Sequence, residues 1–162
     1  MNKKKLIFCY VLQILALATM VLLMMPLVKN SGLNGAVMGL LISSEWIMIE
    51  DYLFAIAGII TVVTMLLLLI SLELYKLCAC GVIKNKIFDR VLYIINIVLI
   101  SFAVATIVNY FLGLGRTTHM SGLHLFQGET LFKYATPVFY LHCVFTITML
   151  VLAILCKNKK KS

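Results

Sequence analysis

Four long apolar runs alternate with short polar stretches along the chain. None of the runs contains Asp, Glu, Lys or Arg, and each approaches the roughly 20 helical residues that cross the hydrocarbon core of a bilayer. Because backbone groups in lipid must be hydrogen-bonded within their own segment, each run predicts a transmembrane helix. We therefore expect an all-α integral membrane four-helix bundle in which residues 1–162 form one domain, with spans at about 6–28, 53–72, 91–112 and 135–156.

The first run also has the order of a signal peptide, since Lys3, Lys4 and Lys5 precede it. However, its 23 residues exceed the ~7–15 of a signal-peptide core. The stretch Met24-Met25-Pro26-Leu27 also lacks the small residues of a cleavage site. We therefore expect a retained helix.

The basic residues set the expected orientation. Four spans place both termini and the connection between the second and third spans on one side, which holds eleven Lys and Arg against three on the other. Since Lys and Arg beside short connections stay in the cytoplasm, we expect both termini to be cytoplasmic and the protein to lie in the cell (inner or plasma) membrane. The eleven are Lys3, Lys4, Lys5, Lys76, Lys84, Lys86, Arg90, Lys157, Lys159, Lys160 and Lys161, and the three are Lys29, Arg116 and Lys133.

The overall composition excludes a water-soluble domain. Hydrophobic residues make up 63% of the chain and charged residues 12%. In soluble domains, roughly half of the residues are hydrophobic and about a quarter are charged. The mean hydropathy of this chain is +1.08. The net charge of +8 is divided among short clusters at helix ends. This pattern indicates attraction to anionic membrane lipids and argues against nucleic acid as a partner.

The first outer connection contains a further apolar stretch, residues 33–49. A fifth span there would move the C-terminal lysines outside, and the stretch includes Glu45 and Trp46. We therefore expect an extra interfacial or re-entrant helix with Trp46 at headgroup depth. Gly35 and Gly39 form a small-xxx-small pair that would let this helix approach a neighbour closely.

Four of the five cysteines, Cys9, Cys78, Cys80 and Cys156, fall near the cytoplasmic helix ends. Thiols are reduced in that compartment, so no structural disulfide is expected. Four thiolates at helix ends can bind zinc. The alternative is that they pack as small apolar side chains, and it is favoured because Cys-x-Cys is not the usual zinc spacing. No cofactor is predicted.

All three histidines and most of the acids fall on the outer side. His119 and His124 lie in the third connection, and His142 lies about a turn and a half into the fourth span. With Glu50, Asp51 and Glu129 they form a candidate binding face for a metal ion or a proton. The alternatives are solvated loop histidines and a neutral His142 hydrogen-bonded to Asn109 or Tyr110.

Polar residues inside the spans are few. Gln13 and Asn96 lie roughly 8–11 Å from the cytoplasmic boundary, where we expect them to hydrogen-bond across the first and third helices. Gly58 is a candidate close contact between helices. Such spans lack the intramembrane carboxylate of a proton-coupled transporter, and the chain has no common nucleophile or metalloprotease motif.

Residues 72–100 contain two distinctive stretches before an apolar helix, Glu73-Leu74-Tyr75-Lys76-Leu77 and Lys84-Asn85-Lys86-Ile87-Phe88-Asp89. This pattern resembles a family of small bacterial four-helix membrane proteins of unknown function. Members of that family are often encoded beside a small helix-turn-helix regulator. The resemblance implies a bacterial inner membrane and no known activity.

These features favour a non-catalytic accessory or regulatory multi-pass membrane protein that associates through its helices with another membrane protein or with itself. One alternative is a small-solute or ion transport component that works as an oligomer. Another is a membrane enzyme, or a metal-sensing or pH-sensing site, at the outer His/Glu face. An enzyme is the less favoured class.

Overall fold

The computed structural model describes residues 3–25, 49–120 and 136–158, with side chains described at 3–25, 58–108 and 136–155. The described residues form four helices: α1 (Lys3–Leu23), α2 (Ile49–Cys80), α3 (Lys86–Met120) and α4 (Pro137–Asn158). Each contains a stretch long and apolar enough to cross a membrane: Lys3–Leu23, Gly58–Cys80, Lys86–Val108 and Pro137–Leu155. Over these described ranges, the prediction of an all-helical fold with four such segments is confirmed. The predicted helix over 33–49, with Gly35 and Gly39, lies outside the described residues except for Ile49, which begins α2.

The first helix begins and ends earlier than its apolar run. It starts at Lys3 because lysine is a good helix former and nothing before Leu6 interrupts the helix. It ends at Leu23, and the amides of Met24 and Met25 bond back to carbonyls three residues earlier. Pro26 follows at once, and proline disfavours helical geometry in the residue before it.

The second and third helices are joined by only five residues, 81–85. The α2 helix ends in a Schellman motif: the amide of Val82 bonds the Leu77 carbonyl, the amide of Gly81 bonds the Cys78 carbonyl, and Gly81 has φ +81°. Asn85 caps α3, since its Oδ1 accepts from the amides of the second and third helical residues at 2.9 and 3.2 Å. The predicted connection from 73 to 90 is therefore mostly helix.

The fourth helix begins at Pro137, in the first helical position, where a missing amide hydrogen costs nothing. Thr136 precedes it, and its carbonyl accepts the first helical bond from the Phe139 amide at 3.1 Å. The sequence places this span at 135–156, so the observed helix is shifted by two residues at each end.

The helices pack side by side in the order α1, α2, α3, α4, and α4 returns to α1. Contacts between Thr61 and Thr106 and between Tyr75 and Tyr93 show that α2 and α3 are antiparallel. We call the end that holds the start of α1, the 81–85 turn and the end of α4 the lysine-rich end. The apolar core is made of Phe8, Cys9, Leu12, Ala16, Met65, Leu68, Leu72, Tyr75, Leu92, Ile100, Ala103, Met149 and Ala153.

The outward faces are apolar as well. Ile14, Ile70, Val98 and Leu155 are each more than half exposed. A helix that is apolar on all sides is typical of a membrane span, where lipid covers the surface that the bundle leaves open.

The helices differ in length. At ~1.5 Å per residue, α1 and α4, with 21 and 22 residues, are about 32 Å long. The α2 and α3 helices, with 32 and 35 residues, are about 48 and 52 Å long. Since the 81–85 turn holds α2 and α3 together at the lysine-rich end, their extra length extends toward the opposite end.

Candidate functional site

The candidate binding face formed by histidines and acids falls largely outside the described side chains. Glu50 and Asp51 occupy the first turn of α2, and His119 lies at the end of α3 rather than in a loop. His124 and Glu129 lie outside the described residues.

His142 is the one member of that set whose side chain is described, and it is fully buried in α4. Its carbonyl accepts a hydrogen bond from Thr146 Oγ1 at 2.8 Å. The candidate partners Asn109 and Tyr110 lie in α3, where their side chains are not described.

A buried polar layer surrounds the level of His142. Thr61 Oγ1 of α2 and Thr106 Oγ1 of α3 lie 2.8 Å apart, and Thr106 also donates to the Ala103 carbonyl at 2.7 Å. Counting from the bond between Tyr93 and the Ala153 carbonyl, His142 and Thr106 lie within about one helical turn of the same level. The interior of the opposite half therefore contains hydroxyl groups and an imidazole beside buried apolar side chains such as Phe139 and Ile107.

The four candidate metal-binding cysteines are in different environments. Cys9 is buried in α1, Cys78 is half-buried and Cys80 is exposed at the end of α2. The side chain of Cys156 is not described. Among the described side chains, no group of three or more His, Cys, Asp and Glu is placed to hold a metal ion.

An ion pair crosses the bundle at the lysine-rich end. Lys5 Nζ of α1 donates to both carboxylate oxygens of Asp89 in α3, at 2.7 and 2.6 Å, with the two side chains 23% and 28% exposed. The ammonium also lies 5.0 Å from the centre of the Tyr75 ring in α2, within cation–π range. Since α1 and α3 are not neighbours in the packing order, this pair links helices that face each other diagonally.

A second polar group, which we call the α1–α2 polar cluster, lies on the outside of the bundle. It comprises Tyr10, Gln13, Glu73 and Lys76. Gln13 Nε2 donates to Glu73 Oε1 at 2.8 Å, and Lys76 Nζ donates to the same oxygen at 2.6 Å. Lys76 lies 5.2 Å from the centre of the Tyr10 ring, and the Glu73 side chain remains 55% exposed.

The expected hydrogen bond between Gln13 and Asn96 does not form. Gln13 bonds Glu73 of the adjacent helix instead. Asn96 is 1% exposed, and neither atom of its amide has a hydrogen-bond partner in the described part of the chain. Gly58 is buried in α2.

Sequence reasoning missed the Lys5–Asp89 pair and the burial of Ser71, which is 6% exposed. Lys5 and Asp89 are 84 residues apart, and nothing in either local sequence marks them as partners. Ser71 lies one turn from Leu68 and Tyr75, on the buried side of α2, and a single serine in an apolar run does not show which side of the helix it faces.

The arrangement supports binding through ion pairs and hydrogen bonds at one end of a membrane bundle. No protein-family model, curated protein or solved structure matches the chain.

Proposed function

We propose that this chain is a non-catalytic accessory or regulatory multi-pass membrane protein that binds a membrane partner through the α1–α2 face. Its lysine-rich end faces the cytoplasm, as the distribution of basic residues favours. The resemblance of residues 72–100 to small bacterial four-helix proteins favours a bacterial cell membrane.

The observation that carries the proposal is the exposed position of the α1–α2 polar cluster. Gln13 lies ten residues beyond Lys3, where α1 begins, and Glu73 lies seven before Cys80, where α2 ends, so their contact is about 10–15 Å from the helix ends. Charged groups at such a depth normally face protein or water rather than lipid. Here the half-exposed carboxylate of Glu73 faces outward from the bundle.

The hydrogen-bonding groups of the α1–α2 polar cluster indicate which group the partner should present. Lys76 Nζ lies 2.6 Å from Oε1 and 2.5 Å from Oε2 of Glu73, and its side chain is only 20% exposed. Gln13 also donates to Oε1, so Oε2 is the oxygen with a lone pair left for a further donor. The remaining acceptor capacity of Glu73 suits a transmembrane helix of another protein that presents a hydrogen-bond donor at this depth. The apolar side chains that surround the cluster, among them Ile14 and Ile70, supply the rest of such a contact.

Purification in a mild detergent from the native membrane tests this proposal. We expect a membrane protein to copurify with the tagged chain at fixed stoichiometry, and to be lost in Glu73→Gln and in Gln13→Leu. Ser101→Leu, an exposed change on α3, serves as the matched control and should retain the partner. A partner retained equally by all three variants would contradict docking through the α1–α2 face, and association with a second copy would appear as a homodimer by mass.

The expected orientation has its own test. A reporter fused after Ser162 should resist external protease on intact cells and become accessible once the membrane is permeabilised. Cleavage on intact cells would reverse the proposed orientation.

A further inference from the structure

Two buried polar side chains in the lysine-rich half are not explained by the packing around them. Asn96 of α3 is 1% exposed and Ser71 of α2 is 6% exposed. Within the described residues, neither the Asn96 amide atoms nor Ser71 Oγ has a hydrogen-bond partner. A buried amide without partners is unfavourable by about 1–3 kcal/mol, so a group left in this state suggests something that completes it.

The packing of α2 against α3 places the two side chains at the same level. Tyr75 and Tyr93 meet with ring centres 6.3 Å apart. Ser71 lies four residues before Tyr75, and Asn96 lies three residues after Tyr93. Because residues three and four apart share a helix face, and because α2 and α3 are antiparallel, both lie one turn further from the lysine-rich end.

A second contact supports this register from the other side. The Thr61–Thr106 contact lies ten residues before Ser71 and ten residues after Asn96. Equal spacings on the two helices keep Ser71 level with Asn96 between the two contacts.

The surroundings of this pair are apolar. Leu72 of α2 and Leu92 and Ile100 of α3, which lie next to the pair or one turn away, all belong to the buried core. The nearest described charges along the same face of α3 are at Asp89, which is already paired with Lys5.

The donors and acceptors of the pair select the charge of what it can bind. The Asn96 amide has a donor, the Nδ2 hydrogens, and an acceptor, Oδ1. The Ser71 hydroxyl can act as a donor or as an acceptor. A cation would face the Nδ2 hydrogens, and an anion would face Oδ1. A neutral molecule that both donates and accepts satisfies every group.

We propose that Ser71 and Asn96 form an internal binding site for one water molecule at the contact between α2 and α3. Water is the smallest neutral molecule with two donors and two acceptors, and buried waters typically make about three hydrogen bonds to such groups. The site lies between the Lys5–Asp89 pair and the polar layer of the opposite half. It does not depend on the proposed partner.

Nuclear Overhauser spectroscopy on protein with ¹⁵N-labelled asparagine in nanodiscs tests the proposal directly. We expect the side-chain amide of Asn96 to show a cross-peak to water, and Ser71→Ala to abolish it or reduce it several-fold. Asn85 at the exposed turn serves as the control, because its contact with solvent should not change in Ser71→Ala. The absence of a water cross-peak at Asn96 would overturn the proposal.

Thermal unfolding gives a second readout. We expect Ser71→Ala to lower the melting temperature in the native background and to have no effect in the Asn96→Leu background, where the water has lost its main partner. Additive shifts would overturn the proposal, since they would show that nothing links the two side chains. Coupled shifts without the water cross-peak would also overturn it, because they indicate a direct bond between Ser71 and Asn96.

Discussion

Removing one partner of the Lys5–Asp89 ion pair tests how the lysine-rich end is held together. An exposed ion pair contributes about 0–1 kcal/mol, and loss of one partner from a fully buried pair costs about 3–5 kcal/mol. The Lys5 and Asp89 side chains are 23% and 28% exposed and both carboxylate oxygens are bonded. We therefore expect Asp89→Asn to lower the free energy of unfolding by about 2 kcal/mol.

Part of that loss would not come from the pair. Asp89 lies in the first turn of α3, where a negative charge also interacts with the helix dipole by about 0.3–1 kcal/mol. A double-mutant cycle with Lys5→Met, Asp89→Asn and the double variant removes this contribution, and we expect a coupling of about 1–2 kcal/mol. The measurement is equilibrium unfolding in mixed detergent and SDS micelles.

The chain contains a matched control in the Glu73–Lys76 pair. It has the same chemistry but joins neighbouring turns of one helix, and its carboxylate is 55% exposed. We expect a smaller coupling there than for Lys5 and Asp89. Additive effects of Lys5→Met and Asp89→Asn would refute the reasoning, because they would show that the diagonal contact contributes nothing to stability.

Two further predictions follow from the turn and the thiols. Gly81 has φ +81° and a Cβ added there meets nothing within 4 Å, so Gly81→Ala should cost about 1 kcal/mol from the backbone alone, and Gly81→Asn less. Equal unfolding free energies for both variants and the native protein would contradict this. In single-cysteine variants, exposed Cys80 should react with a maleimide at least ~10-fold faster than buried Cys9, which should react fully only after unfolding. Equal rates in the folded protein would show that Cys9 is accessible.

The helices could be predicted from the sequence because their apolar runs are long and free of charge. Their ends were harder, because helix continues into polar sequence wherever no residue interrupts it, as it does from Glu73 to Cys80. The end of α2 does have a sequence signal, because Gly81 takes the left-handed conformation that closes the helix and glycine adopts it without strain.

Side-chain placement depends on the helix phase, which the runs do not specify. Phe88 stands among the basic residues of the turn, yet it packs against the core, on the same face of α3 as Leu92 four residues later. Val82 and Ile87 are instead 71% and 76% exposed at this turn.

The candidate sites could not be predicted for a related reason, which is that their contacts depend on how the helices are arranged. The burial of Asn96 and the partner of Gln13 depend on which helices are neighbours, and no single-sequence pattern gives that order. Lys5 was correctly assigned to one end of the protein, but its pairing with Asp89 required the positions of α1 and α3 to be known.

The unequal helix lengths have a consequence for the membranes that suit this protein. The α1 and α4 helices, about 32 Å long, barely exceed a typical hydrophobic thickness of about 30 Å. The α2 and α3 helices can span a thicker bilayer, because each is well over 30 Å long. In a thicker bilayer, α1 and α4 are therefore the first helices to become shorter than the hydrophobic thickness. Bilayer thickness should be controlled whenever the protein is reconstituted.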